Sequence, residues 1–135
     1  MSPRDLYLLE SRPNIPSAKV TEQMSSDEIF QNRTLRPIAK LQDELLVAVF
    51  RNYIIKHKNA FYNLIPDERL KYIENAVQKD IKFRNSLKGI IIGQFTLKEY
   101  SEYIQNSSAL NKRMMNLVKE RLQANIQLLE NDLAY

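Results

Sequence analysis

Gly89 and Gly93 are the only glycines in a chain of 135 residues. A sheet-rich fold needs glycine at many turns, where the backbone takes positive φ at no steric cost. Folds that alternate strands and helices generally need several as well. The chain is therefore expected to be all-α, and its periodicity agrees. Apolar residues recur at helical spacing in three stretches. Ile38, Leu41, Leu45, Leu46, Val49 and Tyr53 mark the first, and Leu70, Ile73, Val77, Leu87 and Ile91 the second. The third runs from Tyr100 and Tyr103 through Leu110, Met114, Val118 and Leu122 to Leu129.

Local signals bound these stretches. Ser25 or Ser26 before Asp27 and Glu28 opens the first helix, and Lys56, His57 and Lys58 suit its carboxyl end. Pro37 interrupts it, so a kink or break is expected near Arg33 to Arg36. Pro66, Asp67 and Glu68 start the second helix. Thr96 and Glu99 form a capping box that starts the third. Its stripe stays in phase across Asn106, Ser107 and Ser108, which favours one helix to about Leu133. Three long helices with short connections should pack as an antiparallel bundle. Residues 1–24 carry Pro3, Pro13 and Pro16 and should form an extended N-terminal arm. Residues 25–135 should form a single helical-bundle domain. Leu6 to Leu9 make an apolar patch that can dock on the body or on a partner.

The chain excludes much chemistry. It has no cysteine, so no disulfide, thiolate metal site or cysteine nucleophile exists. His57 is its only histidine and sits among lysines as a solvated residue. No HExxH, GxSxG or phosphate-binding glycine loop occurs. No catalytic residue, metal ligand or cofactor site is assigned. Asp5, Glu10 and Arg12 interrupt any leader, and no apolar run reaches the ~20 residues that span a bilayer. A reduced, cytoplasmic setting without membrane contact is expected. The net charge is +4. Acids are interleaved along the whole chain, so nucleic acid is not the expected partner.

Within the apolar stripes stand a few polar residues. Asp80 and Arg84 lie four apart in the middle of the second stripe. In an antiparallel bundle they come level with Gln42 of the first helix and Ser107 and Asn111 of the third. A buried arginine demands acceptors, because a lone buried charge costs several kcal/mol. Gln42, Asp80, Arg84, Ser107 and Asn111 are therefore expected to form a buried polar layer. It would fix helix register, or it would be a small pocket for an anion or polar ligand.

Two further readings compete. Residues 96–117 can be written as helix, turn, helix, with Asn106 at the turn. Ser107, Ser108, Asn111, Lys112 and Arg113 would then head a recognition helix suited to bases and phosphates. The third reading is a small enzyme using the Asp80/Arg84 pair.

The segments FQNRTLRPIAKLQ, YIENAVQKDIKFRNSLKG, IIGQFTLKEY and YIQNSSALNKRMMN resemble a family of short, uncharacterised bacterial proteins of the Bacteroidetes group. The resemblance covers most of residues 25–130. Some members are labelled glyoxalase, but one histidine and no convincing strand do not match a glyoxalase metal site. The resemblance implies no site residues for this chain. The expected function is a non-catalytic binding or assembly module. Ile126, Leu128, Leu129 and Leu133 should project beyond the bundle, covered partly by the chain itself and partly by a second copy in a homodimer.

Overall fold

The structure, a computed structural model, describes residues 1–130. Every regular element among them is helical. Helix α1 spans Pro3–Ser11, α2 Ser26–Phe30, α3 Arg36–Leu41 and α4 Asp43–Lys56. A π-helical turn, Gln31–Leu35, joins α2 to α3. Then come α5 (Pro66–Lys79), α6 (Ile81–Ile92), α7 (Leu97–Tyr103) and α8 (Ser107–Ala124). Single 3₁₀ turns cover Ala60–Asn63 and Ile126–Leu129.

Each of the three expected long helices is interrupted. In the first, the turn before Pro37 widens to five residues. A proline ring presses on the carbonyl four residues back, and one extra residue in the preceding turn relieves that contact. Gln42, at φ −89° and ψ 6°, then bends the path between α3 and α4. In the second, Asp80 leaves the helix at ψ 100° and restarts it. Its carboxylate accepts the Phe83 N–H at 3.3 Å, so the residue read as core is an N-cap. In the third, α7 stops at Tyr103 and α8 starts at Ser107. Asn106 makes the turn with φ −150°, not in the left-handed region.

The start signals are where the sequence puts them. Ser25 caps α2 through the Glu28 N–H. Thr96 and Glu99 exchange both bonds of the capping box, at 3.2 and 2.8 Å.

Helix α8 lies at the centre and packs on α3, α4, α5 and α6. Its Met114, Met115, Val118 and Leu122 meet Leu46, Ile73, Leu87 and Ile91 in one core. Phe50, Phe61 and Tyr72 meet edge to face at one end of that core.

The two ends of the chain depart from expectation. Residues 3–11 are helical, because Ser2 caps the Asp5 N–H and Pro3 occupies the first turn. No regular element lies between Ser11 and Ser26. At the other end the third helix does not run on. After Ala124 the chain turns back over α4, where Leu129 is fully buried. Asn125 holds this turn by donating to both oxygens of Asp43, at 2.9 and 3.0 Å. Leu128 is exposed. Leu133 lies outside the described residues.

Candidate functional site

The residues expected to form one polar layer lie in separate surroundings, and no hydrogen bond among the described residues joins the side chain of one to that of another. Gln42 donates to the Ile90 carbonyl at 3.2 Å. Asp80 accepts the Tyr53 hydroxyl at 2.8 Å. Asn111 accepts the Tyr103 hydroxyl at 2.5 Å. Ser107 is half-buried at the start of α8. Arg84 is half-buried, forms no ion pair with Asp80, and keeps its Nε buried without a hydrogen-bond partner. The physical reason is the break at Asp80. Once the carboxylate caps α6, it is committed to Phe83 and Tyr53 and is lost to Arg84. Those two bonds, the Tyr53 hydroxyl first, hold the Asp80 carboxyl below its ordinary value. Burial, and then Asp80, push the Tyr53 phenol up.

The buried polar network of this fold is elsewhere, around Glu99. Its carboxylate accepts two bonds from the Arg12 guanidinium, at 2.6 and 2.7 Å. It also accepts the Thr34 hydroxyl at 3.0 Å and the Thr96 N–H at 2.8 Å. The Arg12 and Glu99 side chains are 8% and 11% exposed. Burial acts to raise the Glu99 carboxyl, but Arg12, Thr96 and Thr34 together hold it below its ordinary value. Arg12 also donates to the Gln94 carbonyl, and Arg4 donates to those of Gly93 and Phe95. Asp5, buried, accepts the Leu97 N–H. The N-terminal segment thereby clasps the α6–α7 connection. The capping box disclosed Glu99, but its arginine partner stands 87 positions away. No local pattern announces such a pair.

A cleft of about 650 Å³ opens between the α2–π–α3 segment and α8 as far as Glu120. Arg36, Lys112 and Arg113 line it as cations, and Asp27 and Glu120 as acids. The arginines are not neutralised. Arg113 donates to the Gln31 side-chain carbonyl at 2.8 Å, and Arg36 to that of Asn32 at 2.9 Å. Both acceptors are neutral amides. Asp27 is taken up by the Asn106 amide, which donates to both its oxygens at 3.0 Å. Among the described residues Arg36, Lys112 and Arg113 enter no ion pair. The π turn sets this arrangement. It directs Gln31 toward Arg113, while Thr34 reaches Glu99. Widened turns of this kind recur at functional sites.

Of the residues read as a recognition helix, Ser108, Lys112 and Arg113 line the cleft. Asn111 is engaged by Tyr103. Arg36, Gln31 and Asn32 were not singled out by sequence, because they lie on a different helix from Arg113. Among the described residues no three His, Cys, Asp or Glu side chains gather closely enough to hold a metal ion. None of their helices is long and apolar enough to cross a membrane. Comparison with protein-family models, curated proteins and solved structures yields no significant match.

Proposed function

We propose that the protein is a non-catalytic helical binding module whose cleft between α2–π–α3 and α8 takes a small anion or polar ligand. One observation carries this reading. Two arginines and a lysine face a common cleft, and the arginines are oriented by neutral amides. Guanidinium groups held that way keep their charge available and offer planar donor pairs to a carboxylate or phosphate. The acids on the walls limit the field and argue against a long electrostatic footprint. The module is read as working in a reduced, cytoplasmic setting.

The segmentation of α7, turn and α8 supports a second reading, a helix-turn-helix nucleic-acid binder. Engagement of Asn111 by Tyr103 and of Arg113 by Gln31 weighs against it, since both side chains would have to be released to meet bases. Self-association is also part of the proposal. Leu97 and Tyr100 of α7 and its C-cap Ile104 are exposed, 68%, 48% and 53% respectively, and a second copy would cover them.

Titration with inorganic phosphate, followed by amide NMR, tests the cleft. Saturable shifts are expected at Ser108, Ala109, Lys112 and Arg113, and Arg113→Gln should weaken the binding they report. Shifts spread evenly over all basic residues would sink the reading. Duplex DNA is the parallel arm. Binding there should be weak and fade between low and physiological salt. A sequence-selective complex at physiological salt, lost when Asn111 and Arg113 become alanine, would promote the second reading.

A further inference from the structure

On the other side of α8 lies a smaller hollow of about 270 Å³, between α5, α6 and α8. Arg84 lines it from α6 and Gln78 from α5, with Met115 beside them. Lys112 and Asn116 line this hollow and also the cleft described above. They stand four residues apart on α8 and so form a common wall between the two. Gln78 donates to the Asn116 side-chain carbonyl at 3.2 Å, which fixes that wall.

Arg84 is the informative residue. Its Nε is buried with no hydrogen-bond partner, and no ion pair among the described residues includes it. An orphaned guanidinium nitrogen is costly, and a guanidinium without an ion-pair partner keeps its charge for an acceptor brought from outside. No acid lines the hollow. The fold thus sets Arg36 and Arg113 on one side of the wall, Lys112 on it and Arg84 beyond it. Those four cations come from three separate stretches of sequence.

We infer that the cleft and the hollow are one bipartite site for a ligand with oxyanion groups in series, a short linear polyphosphate. One terminal group would lie on Arg36 and Arg113, and the chain would cross Lys112 to reach Arg84. This inference rests on the anion reading of the cleft and adds the ligand class. A free polyphosphate and the phosphate chain of a nucleotide share this chemistry.

Calorimetric titration of the full chain with inorganic phosphate, tripolyphosphate and a nucleoside triphosphate tests it. Tripolyphosphate should bind at least tenfold more tightly than phosphate. Arg84→Met should remove that gain and leave phosphate binding unchanged, whereas Arg113→Gln should weaken both ligands. Lys82→Met, which removes one exposed charge from α6 outside the hollow, should keep the gain and so separate contact from net charge. A nucleoside triphosphate matching tripolyphosphate points to the nucleotide source, and much weaker binding points to the free chain. Equal affinities for phosphate and tripolyphosphate, or a gain that survives Arg84→Met, would overturn the bipartite site and leave the cleft standing. Failure of both ligands to bind would remove the cleft reading as well.

Discussion

Arg84 and Asp80 show how one backbone break reassigns two side chains. Read along a continuous helix, they make an i, i+4 pair inside an apolar stripe. With the helix broken at Asp80, the acid becomes a cap and the arginine turns to a hollow beside α8. Opposite consequences follow for stability. Arg84→Met removes a partly buried charge that lacks an acceptor, so the melting temperature should stay level or rise. Asp80→Ala removes the cap of α6 and the acceptor of Tyr53, and should cost about 1 kcal/mol. Thermal melts of the two variants check both. A large loss on Arg84→Met would restore the picture of a buried, paired arginine.

The elements most dependent on tertiary contact are α1 and the π turn. Helix α1 has nine residues, too few to be stable alone in water. Bonds from Arg4, Asp5 and Arg12 to the α6–α7 connection hold it. Glu99→Gln would leave the buried Arg12 guanidinium uncompensated and should cost about 3 kcal/mol. Amide hydrogen exchange should then show α1 unprotected while α5 and α8 stay protected. Acid should act in the same direction. The Glu99 carboxyl is depressed in the folded chain, so its contribution is complete above the ordinary carboxylate range. That contribution is lost as pH falls through the depressed value. Protection of α1 should therefore fall on acidification, and the variant should lack that pH dependence. Exchange in α1 independent of both would mean that apolar contacts alone hold the helix.

At the scale of the whole molecule, the question is what covers its apolar surface. The C-terminal turn is covered by the chain itself, since Leu129 is fully buried against the core. Leu129→Ala should cost about 3 kcal/mol, as for other buried leucines. The proposed self-association would instead use the exposed Leu97, Tyr100 and Ile104. Light scattering should find a dimer for the full chain, and serine at Tyr100 and Ile104 should yield a monomer with an unchanged melt. A monomeric parent chain would dismiss the dimer.

The helical class was legible because scarcity of glycine and a 3.6-residue period are local properties, readable from neighbours in the chain. So were the starts at Ser25, Pro66 and Thr96, since a cap is completed within three or four residues. The interruptions at Asp80 and Asn106 were not, because the apolar stripe keeps its phase across both. Whether such a stripe bends there depends on what α4 and α2 offer to the freed side chains, Tyr53 to Asp80 and Asp27 to Asn106. The Arg12–Glu99 clasp and the cationic cleft were decided by tertiary structure alone. Each joins residues from distant parts of the chain, and charge that looks dispersed in sequence is gathered in the cleft only when α3 and α8 pack together.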